Sequence, residues 1–396
     1  MAVEYYNPLE KVYTFISPTK VIFGVNALKS VGGELKSFNQ EKILLLTDKV
    51  IRETEPAKEF ISTLSSNGFE VKVFESEVKE PTIGMANRTA DFVRSEKEGV
   101  VIGMGGGSVM DQAKVASALA KNEGEAEDYV GVDKIPNRGL PLVLIPTTAG
   151  TGAETSKNAV FLGEKGKLVV RSSNILTDLA VIDPIVTVSL PPRPTAFTGM
   201  DALSHAIEGI MSLNCNPMAI AVALEAVSLV NSNLPLAYLN GSDIQARFNM
   251  CIAATLGGLS LNAGVVLGHS VAYTLDHFGV PHGLGCAIAL PHVMKFNALV
   301  IPDKMKRIAR VLGLSDSRID DSIQAASYAV NKVKRLNELL GIPISLQSMG
   351  VEKEKVAELA DECFTKYPRP TNPRKYSKND LVKLYEQLWS GDLDIC

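Results

Sequence analysis

The sequence is poor in cysteine, and this shortage excludes one class of protein at once. Five cysteines occur in 396 residues, and the number is odd. They are scattered, with no C-x-x-C pair among them. A small fold held together by disulfides is therefore excluded. We expect a protein of the reducing cytoplasm, in which the cysteines are mostly structural.

The chain also lacks an excess of positive charge and long hydrophobic runs. Its formal net charge of −4 argues against nucleic acid or an anionic membrane as partner. Apolar runs such as residues 43–46 are too short to cross a bilayer. The longer segment 217–230 is interrupted by Glu225. The N-terminus has no basic region followed by an apolar stretch, so we expect no secretory signal.

Short β-rich runs that alternate with helical stretches occupy the first half of the chain. The runs are residues 43–47, 71–74, 100–103, 142–145 and 179–183. Unalternated apolar strands separated by helices indicate a parallel sheet covered on both faces. After the prolines of 191–194 the periodicity becomes helical, as in 218–231, 303–314 and 319–340. The sequence predicts an α/β domain over 1–190 and an all-α domain over 191–396.

A run of glycines follows the third of these strands, at the start of a helix. Gly105, Gly106 and Gly107 have no Cβ atoms, so their backbone N–H groups can approach a phosphate at a helix N-terminus. Ser108 and Asp111 have the spacing of a capping box. A capped helix after a tight turn is the alternative interpretation. The pattern is not the G-x-G-x-x-G fingerprint.

A second polar turn ends the next strand along the chain. Thr147 and Thr148 offer hydroxyls there, and Thr151 with Glu154 has the spacing of a second capping box. Two such turns at the strand ends of one parallel sheet converge on one crevice. Asp48 closes the first strand, where a carboxylate can accept from a ribose hydroxyl and repel a 2′-phosphate. A simple helix cap explains Asp48 equally well.

Three of the five histidines belong to a pattern of metal ligands in the second half. Asp201 and His205 stand four residues apart and share a helix face. His269 and His282 complete a set of one oxygen and three nitrogens, which suits Fe²⁺ or Zn²⁺. The alternative interpretation makes Asp201 an N-cap and leaves the histidines in the core.

Together these motifs resemble the iron-containing (group III) alcohol dehydrogenase family. The resemblance runs from residue 17 to residue 374. Its most specific pieces are GGGSVMDQAK at 105–114, PTTAGTGAE at 146–154, GMDALSHAIE at 199–208 and PHG at 281–283. It implies the dehydroquinate synthase-like fold, in which a dinucleotide-binding α/β domain precedes a helical domain. Metal and nicotinamide meet between the two domains of that fold.

The resemblance also assigns roles to individual residues. The metal ligands are Asp201, His205, His269 and His282, and the cofactor contacts are Asp48, Gly105, Gly106, Gly107, Ser108, Asp111, Thr147, Thr148, Ser156 and Lys167. Ser156 stands where a threonine is usual in the family. Tyr273 stands where many members have a histidine close to the nicotinamide, and His277 lies a little further along. Tyr273 is therefore the candidate catalytic residue.

The resulting expectation is a metal-dependent oxidoreductase that moves a hydride between NAD(P)(H) and a small alcohol or aldehyde. The metal is Fe²⁺, with Zn²⁺ or another divalent ion as alternatives, and it acts as a Lewis acid. The family implies a homodimer or a larger homo-oligomer. One rival is an enzyme like dehydroquinate synthase or glycerol-phosphate dehydrogenase, which takes a phosphate-bearing substrate. Lys295 is the one basic residue seen near the ligands, which disfavours that rival. A non-catalytic nucleotide-binding protein is the other rival.

Overall fold

The computed structural model describes residues 12–18, 20–77, 80–164, 166–315 and 319–393. They form two compact units. One comprises Ser17–Leu190 and Gly241–Gly258. The other comprises Pro191–Asn240, Leu259–Cys396 and the described part of Met1–Ile16. One boundary thus falls between Leu190 and Pro191, and the two contiguous domains of the sequence analysis stay a prediction.

A parallel sheet forms the centre of the first unit. In the described residues its strands are β1 (Lys20–Phe23), β2 (Lys42–Asp48), β3 (Glu70–Ser76), β4 (Val100–Gly105), β6 (Leu142–Pro146) and β9 (Leu179–Ile182). Their spatial order is β1-β9-β6-β4-β2-β3. Each neighbouring pair is parallel, with Leu45 opposite Ile102 and Ile102 opposite Val143. The predicted parallel sheet and its strands are confirmed.

Alternate residues of the central strands face two separate apolar cores. Leu44 and Leu46 of β2 pack in one cluster, whereas Ile43 and Leu45 pack in the other. The same division holds along β4 and β6. Because both faces are covered, these strands are apolar at successive positions, which is why their sequences show no alternation.

Helices cover the sheet, and a smaller sheet accompanies it. The helices of the first unit are α1 (Val31–Lys36), α2 (Lys49–Arg52), α3 (Glu55–Ser66), α4 (Ile83–Glu96), α5 (Gly107–Leu119) and α8 (Ile244–Ser260), which belongs to it through Gly258. The small sheet consists of β5 (Gly131–Val132), β7 (Asn158–Gly163) and β8 (Gly166–Arg171). β8 lies between the other two, antiparallel to β7.

Both predicted capping boxes are wrong. α5 begins two residues earlier than the box requires, so Gly106 is its N-cap and Ser108 lies inside the helix. Asp111 accepts instead from the backbone N–H of Val160, at 2.9 Å. At the second turn a short 3-10 helix follows Gly152. The Glu154 carboxylate accepts from the Thr255 hydroxyl, so a contact distant in sequence replaces the local one.

In the described part of the second unit, helices are present and strands are not. The helices are α6 (Pro192–Met211), α7 (Pro217–Leu239), α9 (Leu267–Leu275), α10 (His282–Asn297), α11 (Pro302–Val311), α12 (Ser322–Leu339), α13 (Val356–Lys366) and α14 (Lys378–Ser390). α6 packs against α7 and α10, and α10 also packs against α9 and α12. The prolines at 192 and 194 fit the first turn of α6 because their N–H groups are not needed there. Asp201 therefore lies in mid-helix, and its interpretation as an N-cap is wrong.

Among the described residues, two helices have the length and composition of a membrane span, which the sequence analysis did not anticipate. They are Pro217–Leu239 and His282–Val300, with mean hydropathies of 1.4 and 1.3. Within the protein, 72% of the apolar window of His282–Val300 is buried, against 44% for Pro217–Leu239. Packing against neighbouring helices accounts for the apolar character of His282–Val300.

Candidate metal centre and cofactor loops

Three helices of the second unit bring the four predicted ligands together. Asp201 Oδ1 lies 3.8 Å from Nε2 of His205, 3.9 Å from Nε2 of His269 and 3.9 Å from Nε2 of His282. Asp201 and His205 come from one face of α6, His269 from α9, and His282 from the first turn of α10. The i, i+4 spacing read from the sequence thus places its pair as predicted.

The donor set fits a divalent ion. Two ligands bound to one ion at about 2.0–2.2 Å each lie at most about 4.4 Å apart, and the observed separations fall within that limit. Asp201 and His269 are each 3% exposed. Among the described residues, Asp201 Oδ1 and His269 Nε2 have no hydrogen-bond partner. Buried polar atoms are normally satisfied, so these two point to a ligand.

The carboxylate at the centre of the cluster is anionic. Burial acts to raise the pKa of Asp201, but the facing histidines lower it, and the net effect is a pKa below the ordinary value. An anionic oxygen beside three imidazole nitrogens is a ligand set that suits Fe²⁺ and Zn²⁺.

Glu208 orients one of the candidate ligands, a role that the sequence analysis missed. Its Oε1 lies 2.7 Å from Nδ1 of His269, and its Oε2 accepts from the backbone N–H of Val266 at 2.7 Å. Glu208 is fully buried. A carboxylate can only accept, so Nδ1 carries the proton and Nε2 presents its lone pair to the cluster. A Cβ at Gly268 would lie 2.3 Å from Glu208 Oε1, so glycine is needed for this approach.

Cys286 is a second residue that the sequence analysis missed. One ligand atom from each of Asp201, His269, His282 and Cys286 lies within 4.8 Å of the others. The thiol is fully buried, 3.6 Å from Nε2 of His282. Burial raises its pKa well above the ordinary value, and the nearby carboxylates add to that effect. The signal was present in the sequence, because Cys286 follows His282 by four residues on one helix.

The two candidate proton carriers occupy different surroundings. The Tyr273 ring stacks on His282, with 5.5 Å between centroids. The guanidinium carbon of Arg369 lies 5.6 Å from the Tyr273 centroid. His277 is instead exposed, and its Nε2 lies 3.0 Å from both carboxylate oxygens of Glu362. The geometry therefore favours Tyr273 as the residue beside the cluster.

The two polar turns of the first unit lie side by side. Gly105 pairs with Pro146 at the ends of β4 and β6, and the N–H of Thr147 donates to the Gly105 carbonyl at 3.0 Å. A Cβ at Gly107 would lie 2.7 Å from Cγ2 of Thr151. At Gly106 the nearest atoms would be 3.6 Å away, in Thr148. Packing within the unit therefore excludes a larger residue at position 107, whereas it leaves room for a Cβ atom at position 106.

The remaining predicted cofactor residues already have partners in the protein. Asp111 and Ser156 surround the buried Lys114, whose Nζ lies 3.6 Å from Asp111 Oδ1 and donates to Ser156 Oγ at 3.2 Å. Burial lowers the pKa of Lys114 and raises that of Asp111. Lys167 forms an ion pair with Glu80. The alternative interpretation of Asp48 is also observed, since its Oδ1 caps α2 by accepting from Ile51 N at 2.9 Å.

Comparisons with known proteins identify the family. The iron-containing alcohol dehydrogenase family model matches residues 18–184, and the C-terminal model of the Fe-containing alcohol dehydrogenase family matches residues 195–389. The chain belongs to the iron-containing alcohol dehydrogenase family. It is a metal-containing oxidoreductase that transfers a hydride between NAD(P)(H) and an alcohol or aldehyde. The predicted family, fold class, reaction and cofactors are confirmed.

Individual relatives match over nearly the whole chain. The chain is 35% identical to long-chain-alcohol dehydrogenase 1 of Geobacillus thermodenitrificans, over 93% of this chain and 95% of that protein. It is 34% identical to NAD-dependent methanol dehydrogenase of Bacillus methanolicus, over 93% and 98%. A solved structure of 1,3-propanediol oxidoreductase superposes with a TM-score of 0.92 at 30% identity, covering 96% of this chain and all of that one. Neither rival function finds support in these matches.

Proposed function

We propose that Asp201, His205, His269 and His282 hold the catalytic ion of an NAD(H)-preferring enzyme that interconverts small alcohols and aldehydes. The observation that carries this proposal is the position of Asp201 Oδ1. It is buried, has no hydrogen-bond partner among the described residues, and lies 3.8–3.9 Å from three imidazole nitrogens. When bound, the ion supplies Lewis acidity toward the substrate oxygen.

The side chains around the ion have separate tasks in this proposal. Asp201 contributes the negative charge that retains a divalent cation. Glu208 keeps His269 in the tautomer whose Nε2 is free to bind. Tyr273 borders the site and passes a proton through its hydroxyl group. A phenol of ordinary pKa, about 10, is a poor free base at neutral pH, so a relay is the better role for this hydroxyl group.

The strand-end turns of the first unit support the proposed cofactor site. Gly106 lacks a steric reason within its unit, as expected if its backbone must approach a phosphate closely. It also stands at the N-terminus of α5, where the helix dipole favours an anion. Thr147, Thr148 and Ser108 lie beside it. Asp48 ends β2, which neighbours β4, and its second oxygen can accept from a ribose hydroxyl.

The proposed enzyme is a cytoplasmic homo-oligomer with two contiguous domains. The family resemblance supports a homo-oligomer whose chain is divided into domains 1–190 and 191–396. The scarcity of cysteine supports a location in the cytoplasm. Light scattering after size-exclusion chromatography measures the oligomeric state. A monomeric mass would contradict that part of the proposal.

The test compares two histidine variants in iron content and in NADH-dependent reduction of butanal. His269→Ala removes one proposed ligand and should abolish both iron binding and turnover while circular dichroism stays unchanged. His277→Ala is the matched control, because this exposed histidine lies outside the cluster. Full activity in His269→Ala, or in protein stripped of all metal, would overturn the proposal.

A further inference from the structure

An arginine lies next to the aromatic side chains that border the metal cluster. The guanidinium carbon of Arg369 is 5.6 Å from the centroid of Tyr273. Tyr273 stacks on His282 and also meets the edge of Tyr367, at 5.5 Å and 5.3 Å between centroids. One aromatic ring thus separates this cation from a proposed metal ligand.

The charge of Arg369 has no carboxylate partner in the described residues. Its Nε is buried and makes no hydrogen bond there, and no acidic side chain lies within ion-pair distance. Arg374 offers a contrast within the same unit. It also covers an aromatic ring, that of Phe296 at 4.2 Å, but its guanidinium lies 3.5 Å from Asp380.

A guanidinium group that is partly removed from water still requires hydrogen-bond acceptors for its N–H groups. Proximity to the Tyr273 ring supplies no hydrogen-bond acceptor of ordinary strength, so the guanidinium N–H groups stay available for a bidentate contact with an oxyanion. An unsatisfied buried polar atom in a native protein calls for an explanation, and a ligand is one of the few that are available.

We propose that Arg369 selects substrates that carry an oxyanion at the end opposite the reacting carbon. The substrate class is a short aldehyde, or the matching alcohol, with a terminal carboxylate or sulfonate group. Its carbonyl oxygen meets the proposed ion, while its anionic group meets the Arg369 edge beside Tyr273. This inference rests on the proposed function and narrows it to one substrate class.

The experiment measures kcat/KM for NADH-dependent reduction of two four-carbon aldehydes, anionic succinic semialdehyde and neutral butanal. The wild-type iron-loaded enzyme should favour the anion. Arg369→Leu should lower the anion-to-neutral ratio by about 10- to 100-fold, the range expected for losing a charge-assisted hydrogen bond. Its kcat/KM for butanal should stay close to the wild-type value. Because the ratio compares two substrates in one preparation, partial misfolding does not change it.

Arg374→Leu is the matched control, since it removes another stacked arginine whose charge is already paired. Its ratio should equal that of the wild type. The inference is overturned if the wild-type enzyme prefers butanal, or if Arg369→Leu leaves the ratio unchanged.

A binding measurement separates this inference from the function on which it rests. If neither aldehyde is reduced, the proposed function fails, and calorimetry with propanesulfonate then decides the role of Arg369. A sulfonate is a weak metal ligand, so its binding reports on the arginine. Binding that is lost in Arg369→Leu supports the inference. Binding that is equal in both proteins, or absent from the wild type, contradicts it.

Discussion

Replacing Glu208 by glutamine tests how the protein prepares its metal site. The change keeps the size of the side chain but replaces one acceptor oxygen with an NH₂ group that can only donate. In the native protein one carboxylate oxygen faces His269 Nδ1, and the other accepts from Val266 N. The glutamine amide cannot accept at both places.

Either orientation of the new amide has a cost that the structure defines. If its NH₂ faces Val266 N, two donors meet and a buried backbone N–H loses its partner. If its NH₂ faces His269, Nδ1 must accept, and the proton moves to Nε2, the atom that would bind the ion. Loss of such an orienting carboxylate typically lowers metal affinity by about 10- to 100-fold. That loss corresponds to about 1.4–2.7 kcal/mol.

The assay is a competition titration of Zn²⁺ or Co²⁺ against a chromophoric chelator, with Glu225→Gln as the control. Glu225 lies exposed on α7, so its replacement should leave affinity unchanged. We expect the Kd of Glu208→Gln to rise within the stated range while the fold persists by circular dichroism. A Kd equal to that of the wild type would refute the orienting role.

Three further predictions concern other parts of the chain. Burial lowers the pKa of His292 to about 4. Between pH 6.5 and 4, His292 is therefore protonated in the unfolded chain but neutral in the folded chain. As the pH drops through this range, the free energy of unfolding should fall by about 3 kcal/mol. Denaturant titrations should show a smaller fall in His292→Gln, and an equal fall would contradict the assignment. Asp48→Gly should narrow the preference for NADH over NADPH in kcat/KM, whereas a native enzyme that prefers NADPH would contradict the role of Asp48. Tyr273→Phe should lower kcat and change its pH dependence without altering NAD affinity, and an unchanged kcat at every pH would leave Tyr273 a packing role only.

The sequence was sufficient for the sheet and for the α6 pair of candidate ligands because both depend on local patterns. The buried strands show as unbroken apolar runs, and the α6 ligand pair shows as an i, i+4 spacing. The helix starts were harder to predict. Ser108 and Asp111 have the spacing of a capping box, but α5 starts at Gly107. Asp111 of this helix finds its partner at Val160 of strand β7.

The missed residues depend on contacts between distant parts of the chain. Glu208 reaches His269 across 61 positions, which no periodicity reveals. Arg369 belongs to a segment without helical or strand periodicity, and only the fold brings it to Tyr273. Cys286 is different, because its spacing from His282 was visible and its significance appears only once the other ligands surround it.

Anomalous diffraction at the iron absorption edge, from crystals of iron-reconstituted protein, tests the central claim most directly. The account predicts one strong peak bounded by Asp201 Oδ1 and the Nε2 atoms of His205, His269 and His282. A peak at another place would contradict it, and so would a site in which the Cys286 sulfur takes the place of His205.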